Sequence, residues 1–326
     1  MRPINAAIAA AAAAAFCAVA PAALAQAASY PGKSIRMIVP FTPGSATDIM
    51  GRLVGERFTA AWGQPVIVEN KPGAGGIIGL RETARAEPDG YTLVVIASGH
   101  AVNHVLYKDL GYDTLKDFAG VAFLGSQPSV LIVPPSLGVK SVKELVVMLK
   151  AKPGELNYAT AGVGSGSHVS SEKFNVAAGV KAVHIPLKGA PPILTETMAG
   201  RAQYAWIPVV TAMGVIKDGK VLPLAVSTAK RIDALPNVPT IAEAGFPDAE
   251  NTFWVVMLAP AKTPRDVVAK LNAEANRALQ APEMKERLAK LGTEPMAMTP
   301  EGLDRFIASE YRELGDVMVK AGLKPQ

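Results

Sequence analysis

Between residues 35 and 227 the chain repeats one local pattern: a short apolar run, a turn rich in glycine, proline or hydroxyls, and a segment with apolar residues at helical spacing. Strands that alternate with helices bury both faces of a mostly parallel sheet, so the pattern specifies an α/β protein rather than a bundle or a sandwich. The clearest instance is Val39-Pro40-Phe41-Thr42-Pro43-Gly44-Ser45-Ala46-Thr47-Asp48, where the apolar run 35–39 stops at a Pro/Gly turn and a helix begins. Such a junction points free backbone N–H groups, and the positive end of a helix dipole, at whatever lies above it, which suits an anion.

Read onward, the pattern predicts a helix over 47–60, a strand over 65–69, a glycine-rich turn and helix over 77–86, and a strand over 91–97 ending at Ser98-Gly99-His100. Short helical pieces are expected at 102–107 and 115–118, then a strand at 130–133. A second series follows, with helices over 141–151, 167–178, 192–199 and 209–217 and strands over 156–159, 183–185, 204–207 and 222–227. A proline-dotted connector leads to a strand over 253–258 that returns to the first series, followed by helices over 264–280, 282–290 and 300–321.

Two α/β series joined by two crossings predict two lobes with parallel-rich sheets around a hinged cleft. The expected division is a first lobe from 29–128 and 252–326, with a second lobe from 129–251. In open parallel sheets ligands bind beyond the carboxyl ends of the strands, which makes the loops after strands the candidates.

Residues 1–25 read as a signal peptide: Arg2, an alanine-rich apolar run, and Ala23-Leu24-Ala25 before a cut at Ala25/Gln26. Cys17, the single cysteine, lies inside that segment, so the remaining chain is expected to need neither disulfides nor reducing conditions. The 33 basic and 28 acidic residues give a formal charge of +5. No basic run appears and aromatics are few, so nucleic acid is not an expected partner, whereas a mildly positive field helps gather small anions.

In the opening loop Phe41, Thr42, Gly44, Ser45, Ala46, Thr47 and Asp48 are candidate ligand residues; Ser45 and Thr47 offer hydroxyls, and Asp48 can bond the free N–H groups of the helix start. Its counterpart is Asn157 to His168, where alternating glycines allow close backbone approach and Thr160, Gly164, Ser165, Gly166, Ser167 and His168 are the candidates. Ser98 and His100 join them because they follow a strand. Helix starts and flexible loops use the same residue types, so position after a strand carries the functional reading.

Other chemistries fit less well. The glycines at 73, 75, 76 and 79 lack the dinucleotide spacing, and no Gly-Lys-Ser/Thr phosphate loop occurs. His100 and His104 have the i, i+4 spacing of a metal pair, but no glutamate follows His100 as a zinc-protease motif requires. No metal and no cofactor are expected. Neither Ser45 nor Ser165 sits in Gly-x-Ser-x-Gly, so a hydrolase or lyase using Ser165 or His168 stays the alternative rather than the expectation.

Five motifs occur in order along the chain: Val39-Pro40-Phe41-Thr42-Pro43-Gly44, Asn70-Lys71-Pro72-Gly73-Ala74-Gly75-Gly76, Pro88-Asp89-Gly90-Tyr91-Thr92-Leu93, Pro153-Gly154-Glu155-Leu156-Asn157-Tyr158 and Leu235-Pro236-Asn237-Val238-Pro239-Thr240-Ile241-Ala242-Glu243. Together they resemble the Bug family, the periplasmic receptors of tripartite tricarboxylate transporters. The resemblance implies a two-lobe, flytrap-shaped periplasmic binding protein, not an enzyme, that captures a small organic carboxylate and hands it to the membrane permease subunits. A sensor kinase is carried as a further partner, and the chain is expected to be a monomer. In the family the ligand carboxylate is held largely by main-chain and hydroxyl groups of the two loops, without an obligatory arginine. A receptor of another transporter class would instead use a buried arginine, for which Arg52, Arg81 and Arg201 are the candidates.

The chain departs from the family at three places. Ser45 stands where a second glycine is common, Leu187 where an aromatic is frequent, and Ile207 where the family often has an acid at the end of Tyr204-Ala205-Trp206-Ile207. Loss of that acid removes a partner for an ammonium group, so the expected ligand lacks an amino group and is aromatic, dicarboxylic or a longer aliphatic acid. Phe41 and Trp206 are its candidate walls, with Ile207 beside them.

Overall fold

The computed structural model describes residues 30–290 and 292–325. The expected signal peptide and its cut at Ala25/Gln26 lie outside the described residues. Among the described residues no helix is long and apolar enough to cross a membrane. Lys33–Gln326 form one compact unit.

Two sheets organise that unit. The first takes β1 (Ile35–Val39), β2 (Val66–Asn70), β3 (Thr92–Ala97), β4 (Phe118–Gln127) and the late strand β10 (Phe253–Pro260) in the order β2-β1-β3-β10-β4. The second has β5 (Ser129–Val133), β8 (Ala205–Pro208) and β9 (Leu222–Val226) in the order β8-β5-β9. The parallel pair β6 (Asn157–Thr160) and β7 (Val183–Pro186) adjoins it through a parallel bridge between Tyr158 and Tyr204. The second sheet therefore reads β7-β6-β8-β5-β9, the same order as the first.

In each sheet the fourth position is taken by the strand that crosses from the other. β10 runs antiparallel to β3 and β4, and β5 antiparallel to β8 and β9. The remaining four strands of each sheet point one way, so the parallel-rich expectation holds and the two crossing strands are its exceptions.

Besides the four-residue helix Asn103–Leu106, the helices are α1 (Ala46–Trp62), α2 (Ile77–Ala84), α3 (Val142–Ala151), α4 (Gly166–Ala178), α5 (Ala190–Met198), α6 (Val209–Lys217), α7 (Arg265–Gln280), α8 (Pro282–Lys290) and α9 (Pro300–Lys320). Ser45 caps α1 by accepting the Asp48 N–H, and Gly63 ends it in the left-handed conformation with its N–H donated to Thr59. Between those caps Met50, Leu53, Val54 and Phe58 form the buried stripe.

The expectation at 115–118 needs correction. Leu115 is in a turn and Phe118 opens β4, a ten-residue strand. Its sequence, Phe-Ala-Gly-Val-Ala-Phe-Leu-Gly-Ser-Gln, lacks alternation because both faces are covered and its register with β10 shifts twice. Tertiary contacts complete it, including the Gly120 N–H donated to Asp304 of α9 at 2.8 Å.

One core packs Ile38, Val94, Ile96 and Trp254 against Leu303 and Ile307 of α9, and it takes in Val169 of α4. A second gathers Leu131, Leu145, Tyr158, Phe174 and Trp206, and a third Val130, Ile193, Ile207 and Val226. Val169 thus ties the helix that follows β6 into the core of the first sheet.

Candidate ligand-binding site

The loops after β1 and β6 fold into the same structure. Gly44 and Gly164 adopt positive φ of 79° and 78°, which favours glycine. The next residues, Ser45 and Ser165, have φ/ψ of −70°/160° and −70°/161° and cap α1 and α4. Each cap accepts the N–H three residues on at 3.3 Å, from Asp48 and from His168. Ser45 Oγ lies 3.1 Å from Thr47 Oγ1, and Ser165 Oγ lies 3.1 Å from Ser167 Oγ. The sequence paired the opening loop with 157–168 as two strand-to-helix junctions; the dihedral angles give the two junctions the same conformation.

These two jaws meet across a narrow cavity of about 30 Å³. Its hydroxyl side is Ser45, Thr47, Ser165 and Ser167; its apolar side is Phe41, Phe253, Ile193 and Pro208, with alanines 46, 97, 161 and 190 and Gly166 between. None of these lining residues is charged. Two helix N-termini, four hydroxyls and a hydrocarbon wall form an environment for an anionic head on an apolar body. The lobes are in contact around it: Tyr107 Oη donates to Val163 O at 2.9 Å.

Behind the first jaw, Asp48 Oδ2 accepts from Gly44 N–H at 2.9 Å, while Oδ1 accepts from Arg52 at 3.0 Å and Asn70 at 2.9 Å. Burial alone would raise the Asp48 carboxyl, but the hydrogen bonds from Arg52, Gly44 and Asn70 hold it below the ordinary value. Asn70 also donates to Phe41 O at 3.0 Å, fixing the aromatic wall. Behind the second jaw, Gly164 N–H donates to His168 Nδ1 at 3.2 Å, and Thr160 Oγ1 lies 2.6 Å from His184 Nε2. Burial, with His184 alongside, pushes His168 down to about 3.

Seven of the expected residues line the cavity: Phe41, Ser45, Ala46, Thr47, Ser165, Gly166 and Ser167. Thr42, Gly44, Asp48, Thr160, Gly164 and His168 belong to the same two strand-to-helix segments but do not line the cavity. Ser98 is buried beneath α4, where a Cβ on Gly166 would come within 2.8 Å of its hydroxyl. His100 lies elsewhere, edge-on to Phe118 at 5.2 Å in the first core, and burial pushes it down to about 4. His104 stacks on Tyr311 at 3.5 Å instead of joining His100. Among the described residues no group of three or more His, Cys, Asp or Glu could hold a metal.

Trp206 and Ile207 are core residues. Trp206 packs against Phe174 at 6.1 Å, Ile207 sits with Ile193 and Val130, and the next residue, Pro208, reaches the cavity. Sequence reasoning missed Ala97, Ala161, Ala190, Ile193, Pro208 and Phe253. Three of these, Ala97, Ala161 and Pro208, stand at or just past the carboxyl end of a strand, where the strand-end rule could have found them. Phe253 begins β10; because that strand is antiparallel, its amino end shares the edge with the carboxyl ends of its neighbours.

A two-sheet α/β fold in which each sheet receives its fourth strand by crossing from the other, around a cleft with paired helix starts, is that of the periplasmic solute-binding proteins. Residues 50–323 match the family described as the tripartite tricarboxylate transporter family receptor, TctC, and the chain belongs to that family. It is 35% identical over 300 residues to BugT of Bordetella pertussis, covering 91% of each chain. It is similar to an R. palustris protein solved with adipate, at 32% identity and a TM-score of 0.87, covering 91% of this chain and 100% of that one. MatC of Rhodopseudomonas palustris with bound malate is 33% identical with a TM-score of 0.84, covering 88% and 99%.

Proposed function

We propose that this chain is a receptor for a small organic carboxylate, which it holds between the two serine-capped jaws and delivers to the permease of a tripartite tricarboxylate transporter. The observation that carries the reading is the pair of helix N-termini, α1 and α4, opening with their hydroxyls on one cavity whose lining bears no charge. An anion there is held by backbone dipoles and neutral donors, the arrangement that binds carboxylates without a buried arginine. The relatives solved with adipate and malate support the chemical class.

The apolar wall of Phe41, Phe253, Ile193 and Pro208 favours an aliphatic or aromatic acid, and no lining carboxylate offers a partner for an ammonium group. Arg52 is engaged with Asp48, Arg81 with the carbonyls of Asp109 and Leu110, and Arg201 with Glu196 at 2.6 Å, and none of the three lines the cavity, which leaves the buried-arginine reading without a candidate there. The Ser165 hydroxyl is bonded to Ser167 and to the His168 N–H, and the imidazole faces Gly164, so the geometry favours reversible capture over nucleophilic attack. Closure moves the second lobe, 129–251, against the first about the chain crossings near Pro128 and Thr252. Export by the leader peptide places this monomeric receptor in the periplasm.

A thermal-shift screen of carboxylates tests the reading, because a ligand that binds only the folded state raises the melting temperature with concentration. Adipate and aromatic acids are expected to shift it and glutamate is not; a screen in which only amino acids do so would sink the reading.

A further inference from the structure

Each jaw is tied down by the side chain at the third helical position. In the first, Asp48 holds Gly44 N–H and is itself bound by Arg52, one turn further along α1. In the second, His168 holds Gly164 N–H, and the residue one turn on is Glu172, whose Oε1 lies 3.9 Å from His168 Nε2. The pair is inverted in charge type: an acid backed by a base in the first jaw, an imidazole backed by an acid in the second.

A ring nitrogen that accepts a hydrogen bond cannot carry a proton, so His168 is neutral with its hydrogen on Nε2. Nε2 is buried with no hydrogen-bond acceptor in reach, Glu172 Oε1 lying 3.9 Å away, so nothing beside it would stabilise a charged ring through a hydrogen bond. His184 of β7 stacks on it at 4.4 Å, Glu172 takes the Tyr158 hydroxyl of β6, and Tyr204 beyond is bonded to Asn175. On the far side of α4, Lys173 faces Glu310 and Glu313 of α9 and Asp248 and Glu250. His100, on the Ser98–Ala101 turn that packs against α4, is fully buried. No cation described in these surroundings is placed as Arg52 is to neutralise an acid at position 168.

We propose that His168 is the positioning residue of the second jaw: its unprotonated Nδ1 fixes Gly164, and with it the Ser165 cap, in the shape that Asp48 imposes on the first jaw, without setting a second carboxylate beside the ligand. The benefit rests on the carboxylate-receptor reading, since only an anionic ligand is repelled by an acid at 168. The positioning itself does not. An asparagine can accept the same bond through Oδ1, whereas leucine cannot.

The test is nitrogen-15 NMR of the imidazole, with amide-exchange protection of Gly164 followed against Gly44 as an internal control, in the full chain and in H168N and H168L. The proton is expected on Nε2, with Gly164 protection flat between about pH 8 and pH 5 because the imidazole stays neutral there. H168N retains protection of Gly164, and H168L loses it by about fivefold, the worth of one hydrogen bond, while Gly44 is unchanged. Adipate affinity by calorimetry falls about fivefold in H168L and returns in H168N. A proton on Nδ1 at neutral pH, or equal Gly164 protection in H168L, would overturn the proposal. Should H168L not fold, the tautomer and the H168N comparison still decide it. If the unaltered chain ignores adipate and the other acids, the carboxylate reading fails while the Gly164 readout continues to judge His168.

Discussion

A Cβ on Gly99 would lie 1.9 Å from the carbonyl oxygen of Gly164, so the turn after β3 and the second jaw touch backbone to backbone. Gly99 does not have positive φ, which makes alanine acceptable to its own backbone and harmful only through this contact. Gly99→Ala is therefore expected to block closure and weaken carboxylate binding by at least about tenfold, the cost of overpacking a tight contact. Calorimetry with adipate measures the loss. Circular dichroism at low temperature should show the secondary structure unchanged.

The two serine caps have matching dihedral angles and hydrogen bonds, so their removal should have matching consequences. Ser45→Ala and Ser165→Ala are each expected to destabilise the fold by about 1 kcal/mol, the usual worth of a helix cap. Urea unfolding checks this, and a difference above about 1 kcal/mol between the two would show that the jaws are not energetically alike.

Ile207, where the family often has an acid, is fully buried beside Ile193. Ile207→Asp is expected to cost about 3–5 kcal/mol, because it leaves an uncompensated charge in hydrocarbon. It should not create affinity for amino acids, since the position lies behind the cavity wall. Denaturant unfolding and a glutamate titration read the two halves of this expectation.

His100 is fully buried and pushed down to about 4 from an ordinary value near 6.5. Above 6.5 folded and unfolded states are both neutral at this site and it contributes no pH dependence. As pH falls from 6.5 towards 4 the unfolded chain takes up a proton that the folded chain refuses, so stability drops by up to about 1.4 kcal/mol per pH unit. His100→Phe keeps a ring between Phe118 and Tyr112 and should flatten the acid limb by that slope, measured by urea unfolding at several pH values.

Much of the fold was legible because the strand–turn–helix units announce themselves locally, through an apolar run, a Pro/Gly turn and, at Ser45, Ser141 and Ser165, a capping serine. The helix expected over 209–217 and that over 282–290 match α6 and α8 residue for residue. β4 was hidden because its glycines and alanines are explained only by the strand and helix packed on it. The jaws were found from loop composition, yet Trp206 was misplaced as a wall, since strand alternation does not say which face of β8 meets the cleft. Phe253 was missed because the direction of β10 is set by the crossing and not by its own residues.

The sequence by itself determined the helix starts: Ser45 and Ser165 cap their helices through bonds that span only three residues, so local chemistry suffices. Tertiary structure decided which loops face each other, that both crossing strands run antiparallel, and that Asp48 sits among Arg52 and Asn70 while His168 sits against His184. Those features depend on contacts between residues far apart in the chain, which close only when the two sheets have formed and their helix starts are brought together.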